Sequence, residues 1–179
     1  NDFKVMLHAS ASIESAVIML ACSKIGLHFS VIFQELESLG ILNRIRLFKP
    51  DIFFSRLSKK DFKNKFNLKF KKKIKFVFQE QIEKIIHNKI KIKSPKNNFV
   101  KSDKNFFTLF TSGSTGAPKG ITHSTGGYLL YTKLTCEKQF GMNKNSIVLT
   151  ASDAGWINGH TYSLFGPLIF GATTVLVEK

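Results

Sequence analysis

The sequence predicts an α/β fold with mixed sheets flanked by helices, and three stretches carry that expectation. In the first 54 residues a helical pattern, an apolar run, a second helical pattern and a second apolar run follow one another. That alternation builds βαβ units and a parallel sheet. Residues 105–138 read as an apolar run, a glycine-rich turn, a short returning strand and a helix. Residues 173–177 form a β-branched stretch suited to a last strand.

Each element has its own signature. The first helix spans residues 12–25, with Ser12 as N-cap and Glu14 in the first turn, where the helix dipole favours it. Ile13, Ala16, Val17, Leu20 and Ala21 keep a three-to-four spacing, and Gly26 is placed to stop the helix. Residues 28–33 read as a short buried strand. Leu36, Leu39, Leu42, Ile45 and Leu47 mark a second helix that must end before Pro50. Residues 52–54 are the next strand.

Residues 58–73 lack a clean period and read as an exposed loop or an ill-defined helix. Residues 75–78 suit a strand. Ile82, Ile85, Ile86 and Ile90 follow it at helical spacing, and residues 91–104 form a connection. The sharper second part has a strand at 106–110, a loop at 111–119 and a returning strand at 120–123. A helix then runs from a cap at Ser124 or Thr125 to about residue 138. A strand at 146–150 and a helix within 158–169 complete it. Two portions are therefore expected: residues 1–100 with the lysine-rich 58–104 connection, and residues 105–179.

At 179 residues the chain can bury a sizeable core. It opens on Asn1 and ends on Lys179 just after an apolar run, so both ends read as cut from a longer protein. No stretch reaches the roughly 18 apolar residues of a membrane span, and no signal-peptide pattern opens the chain. Cys22 and Cys136 lack metal spacing and read as buried free thiols. A cytoplasmic location is expected.

The net charge of +15 invites a nucleic-acid reading, which its distribution opposes. Residues 59–104 hold 16 lysines and no arginine against four acids, a net +12 from this segment alone. Recognition modules use arginine forks and ordered aromatics, and neither pattern appears. The segment is also rich in Phe, Ile and Asn, whose codons, like those of lysine, are A/T-rich. A solvated lysine surface accounts for the charge.

The densest chemistry lies at residues 111–120, Thr-Ser-Gly-Ser-Thr-Gly-Ala-Pro-Lys-Gly. Three glycines, four hydroxyls and one lysine share a single turn-forming stretch. Glycines let backbone amides approach an anion closely. Successive amides form a concavity that hydroxyls and an ammonium complete. The spacing excludes a Walker A loop: counting from Gly113, the second glycine would stand where Pro118 is, and Lys119 is followed by Gly120. This is a phosphate loop of another kind.

These residues resemble the adenylate-forming enzymes, which include acyl-CoA synthetases, luciferases and peptide-synthetase adenylation domains. The stretches 121–131 and 152–178, with Gly155-Trp156-Ile157-Asn158-Gly159-His160 at the heart of the second, narrow the resemblance to acetyl-CoA and propionyl-CoA synthetases. Residues 19–33 resemble the N-terminal part of that branch. The resemblance implies part of the N-terminal domain of such an enzyme. In the implied reaction a carboxylate attacks ATP to give acyl-adenylate and pyrophosphate, and coenzyme A then displaces AMP.

It also implies roles. Thr111, Ser112, Ser114 and Thr115 would donate hydroxyls to the β- and γ-phosphates, Gly113 and Gly116 would bring amides close, and Lys119 would offset charge on departing pyrophosphate. That is electrostatic stabilisation, with no catalytic nucleophile among these residues. Trp156, Ile157 and Asn158 would lie by the acyl and coenzyme A pocket; Trp156 reads equally as a core anchor. Asn158 stands where acetyl-CoA synthetases usually carry threonine, which bears on the choice of acid. His160 and His123 read as structural histidines, and Asp153 as a turn cap or a ligand contact.

Arg56 could touch a coenzyme A phosphate, although the Arg-Gly-Gly stretch of the branch is replaced here by Ser55-Arg56-Leu57-Ser58. The adenosine contacts, the carboxylate for Mg2+ and the catalytic lysine of the family lie further along than residue 179. The expected ligands are thus ATP, Mg2+ held from elsewhere, coenzyme A and a small carboxylate, with no nucleic acid and no membrane. The rival expectations are an adenylating ligase for another small acid, a degenerate non-catalytic remnant, and a basic binding module.

Overall fold

A computed structural model describes residues 3–66, 74–87, 95–111 and 117–178. Strand β1 (Lys4–His8) leads into helix α1 (Ile13–Ile25), then β2 (His28–Ile32), α2 (Ser38–Phe48), β3 (Ile52–Ser55), α3 (Lys59–Lys65), β4 (Lys75–Val77) and α4 (Gln79–His87). Strands β5 (Asn105–Thr111) and β6 (Lys119–Ser124) form a hairpin followed by α5 (Thr125–Phe140). Then come β7 (Ile147–Leu149), α6 (Ile157–His160), a π-helical turn (Thr161–Phe165), α7 (Gly166–Ile169) and β8 (Thr173–Val175).

Six strands make one sheet in the order β4-β3-β1-β2-β5-β6. All neighbouring pairs are parallel except β5 with β6. β7 and β8 form a separate parallel pair. The fold class is therefore the mixed α/β arrangement expected. The central strand β1 was not: no strand is predicted before residue 28. Its run, Lys4-Val5-Met6-Leu7-His8, is short and buried on both faces, so it offers neither length nor alternation.

Period-two geometry sends β1 side chains to opposite faces. Val5 and Leu7 pack with Met19 and Cys22 of α1, Phe29, Phe107 and Tyr128. Met6 packs on the other face with Ile41, Ile45 and Phe48 of α2, Phe53, and Phe62 of α3. Helices thus cover both faces of the sheet.

The caps act as the sequence indicates. Ser12 Oγ accepts from the Ser15 amide at 3.1 Å. Gly26 takes a left-handed φ of 69° while the Leu27 amide reaches Cys22 O at 2.9 Å, the bond pattern that ends helices at glycine. Residues 58–66 are better ordered than their sequence suggests. Ser58 caps α3 through its bond from the Asp61 amide at 2.9 Å, and Phe62 and Phe66 anchor it in the core. The expected helix within 158–169 is split by the π turn. The Gly166 amide bonds Thr161 O, and a Cβ there would lie 2.5 Å from Cys136 Sγ. Both cysteines are free and buried. Ile90 and residues 67–73 and 88–94 of the lysine-rich stretch lie outside the described residues.

Candidate functional site

Three groups of residues gather at the carboxyl edge of the parallel strands, where ligands of open α/β sheets bind. The first is the β5–β6 hairpin. Antiparallel pairing of Thr111 with Lys119 closes the loop, and both residues are exposed. Below them Thr108 Oγ1 and Thr122 Oγ1 are 2.7 Å apart, and His28 Nε2 lies 2.8 Å from Thr108 Oγ1. These cross-strand bonds fix the register that sets Lys119 beside Thr111. Ser112, Gly113, Ser114, Thr115 and Gly116 lie outside the described residues.

The second group follows β2. Trp156 packs on Phe33 with ring centroids 5.2 Å apart. It is 60% exposed in this chain. A Cβ on Gly155 would fall 2.6 Å from the Phe33 ring, so only glycine permits this approach. Asp153 Oδ1 accepts from the Gly155 amide at 2.8 Å, which fulfils its turn-capping role. Ile157 and Asn158 are exposed beside Trp156. The structure therefore presents the three together as a surface of aromatic, aliphatic and amide character.

The third group joins the ends of β1 and β3, flanking the position where strand order reverses. His8 is fully buried, with Nδ1 3.1 Å from Ser55 Oγ and Nε2 3.2 Å from Gln34 O. A carbonyl only accepts, so Nε2 carries the proton and Nδ1 accepts from the serine hydroxyl. Burial drives its pKa down to about 4, and Lys65 adds to the effect. Arg56 follows at once. Its backbone amide bonds His8 O at 3.1 Å. Its Nη1 lies 2.9 Å from Glu14 Oε2 and 2.5 Å from Glu178 Oε1. The sequence offered no sign of this pairing, because the three residues are far apart in the chain.

His160 is the other fully buried histidine. Nδ1 donates to Trp156 O at 3.2 Å and Nε2 has no partner. The ring stacks on Phe29 and tilts on Phe107 at centroid distances of 5.9 and 4.6 Å. Burial lowers its pKa to about 3. The ring is enclosed, but only half satisfied. His123 is half-buried and stacks on the other flank of the hairpin, 4.7 Å from Phe107.

Among the described residues no group of three His, Cys, Asp or Glu could hold a metal ion, and no helix is long and apolar enough to cross a membrane. What the edge supplies is hydroxyl and ammonium donors on a hairpin, next to an apolar surface. Those are means of holding an anion and a small organic group. The class so defined is an open, mixed α/β sheet protein whose carboxyl edge carries exposed polar and apolar groups.

The comparisons with known proteins specify it. The model of the AMP-binding enzyme family matches residues 1–179, and the chain belongs to that family. It is 53% identical over 79 residues to acetyl-coenzyme A synthetase 1 of Debaryomyces hansenii, and 51% identical over 80 residues to acetyl-coenzyme A synthetase 2 of Kluyveromyces lactis. These stretches are 44% and 45% of this chain but only 12% of each yeast enzyme. The fold is shared with acetoacetyl-CoA synthetase from Streptomyces lividans, at a TM-score of 0.78 and 18% identity, over 97% of this chain and 29% of that one. It is shared as well with O-succinylbenzoate coenzyme A synthetase from Bacillus subtilis, solved with ATP and a magnesium ion. There the TM-score is 0.76 and the identity 16%, over 98% of this chain and 44% of that one.

Proposed function

We propose that the chain is the phosphate-loop portion of an AMP-forming short-chain acyl-CoA synthetase, which converts a carboxylate, ATP and coenzyme A to acyl-CoA, AMP and pyrophosphate. The observation that carries this reading is the hairpin, whose Thr111–Lys119 pair closes the hydroxyl- and glycine-rich loop at the carboxyl edge. In the reading, hydroxyls and amides of residues 111–116 hold the β- and γ-phosphates. Lys119 stabilises charge as pyrophosphate departs. Trp156, Ile157 and Asn158 wall the acyl side, where the Asn158 amide favours an acid that can hydrogen-bond over plain acetate. ATP supplies the energy of activation, and the Mg2+ ligands and adenosine contacts come from polypeptide outside residues 1–179.

A cytoplasmic ligase fits this chemistry. The reading also treats the 179 residues as one part of a longer enzyme. Apolar Ile147, Leu149 and Val175 of the β7–β8 pair are exposed, whereas parallel sheets are normally covered on both faces. A hollow of about 490 Å3 lined by Phe140, Met142, Ile147, Leu149 and Tyr162 lies beside them. Further chain of the kind the relatives possess would cover this face.

The chain alone is expected to form no acyl-CoA from ATP, coenzyme A and acetate, propionate, acrylate or 3-hydroxypropionate. The whole enzyme is expected to release pyrophosphate with at least one of these acids. Acyl-CoA formation by the chain alone, or pyrophosphate release independent of any carboxylate, would contradict the proposal.

A further inference from the structure

We infer that Glu14, Arg56 and Glu178 form a three-residue clasp that fastens the β7–β8 unit to the carboxyl edge of the six-stranded sheet. Each partner comes from a different place. Glu14 lies in the first turn of α1, Arg56 follows β3, and Glu178 follows β8. Both carboxylates converge on the same nitrogen, Nη1, at 2.9 and 2.5 Å. The guanidinium side chain is 17% exposed and Glu14 20%, so the inner pair is largely shielded from solvent; Glu178, at 53%, closes it from outside.

The choice of cation is informative. The sequence has lysine in excess and only three arginines, at 44, 46 and 56. Arginine keeps its charge and presents several donors in a rigid plane, which suits one cation shared by two carboxylates. Its backbone is fixed too. The Arg56 amide is bonded to His8 O, and Ser55 Oγ receives the Leu57 amide at 3.2 Å while engaged with His8. Residues next to the clasp segments also meet across the two units. Where Ser12, Ser15, Met19, Ala154, Leu164 and Leu176 meet, a hollow of only about 20 Å3 remains, room for about one water. A guanidinium between two carboxylates is already neutralised, so it serves to hold chain segments together. A coenzyme A phosphate approaching Arg56 would compete with Glu178 for Nη1.

A double-mutant cycle read by hydrogen exchange tests the clasp in the 179-residue chain. Exchange of the amides at 173–178 is compared in the wild type, Arg56→Gln, Glu178→Gln and the double variant. Each single change is expected to speed exchange there by roughly three- to tenfold. The double variant should exceed Arg56→Gln by no more than about twofold, because Arg56→Gln already breaks the contact that Glu178→Gln removes. Glu178 is half-exposed, so Glu178→Gln leaves the fold intact and keeps the test decisive even where Arg56→Gln unfolds. Unchanged exchange in Glu178→Gln, or fully multiplicative effects in the double variant, would overturn the clasp.

Discussion

Each face of the six-stranded sheet holds one fully buried histidine among phenylalanines, His8 or His160, and the two are treated differently. On the α2–α3 face His8 lies near Phe53, Phe62 and Phe66, with both ring nitrogens bonded. On the α1–α5 face His160 lies against Phe29 and Phe107 with one nitrogen bonded and the other bare. His8 ties three strand ends together at the edge where the candidate site forms. His160 fills space behind Trp156. The contrast teaches that burial alone does not define a histidine's role; the partners of its nitrogens do.

The comparison can be broken hardest through the phenylalanines. Phe53→Ala and Phe107→Ala each remove a fully buried ring and are expected to cost about 3–5 kcal/mol in urea unfolding. If either costs under 1 kcal/mol, that face is not a packed core. Acid comes next. Both histidines titrate well below their ordinary value in the folded chain, so the unfolded chain binds more protons between about pH 6.5 and pH 3. Their stabilisation is complete above pH 6.5 and is lost as pH falls through that window, by about 3 kcal/mol or more for each. Stability that stays flat from pH 7 to pH 4 would show that neither ring is buried neutral.

Replacing the rings sharpens the contrast. His8→Phe strips Gln34 O and the Ser55 hydroxyl of a partner and is expected to cost about 2–4 kcal/mol at pH 7. His160→Phe removes a bare nitrogen, and Trp156 O keeps the His160 backbone amide at 3.2 Å. Its cost should stay within about 1 kcal/mol, with part of the acid sensitivity gone. Equal costs for the two variants would erase the distinction. The smallest effect is optical. Trp156 is the only tryptophan, and its exposure predicts red-shifted emission that moves to shorter wavelength when an acyl ligand covers it. Blue-shifted emission from the free chain would contradict the exposed position.

Much of the fold was legible because its signals are local. Ser12 and Gly26 bound α1, and the apolar run before the glycine-rich loop gave β5. β1 was missed because a five-residue strand buried on both faces carries no period. The π turn was missed because it depends on Gly166 meeting Cys136 and Thr161 across space. The site divides in the same way. Lys119 and Thr111 declare themselves by composition, and Trp156 and Asn158 by resemblance to acyl-CoA synthetases. The Arg56 clasp and the His8–Ser55 bond arise only when distant segments are brought together, and no linear pattern encodes them.

The most direct test of the central claim, that the β5–β6 hairpin holds polyphosphate, is an amide chemical-shift titration of the 179-residue chain with magnesium pyrophosphate. The prediction is saturable shifts at residues 111–122, weakened about tenfold or more in Lys119→Ala. Equal binding by the variant, or shifts confined to the lysines of 59–104, would contradict it.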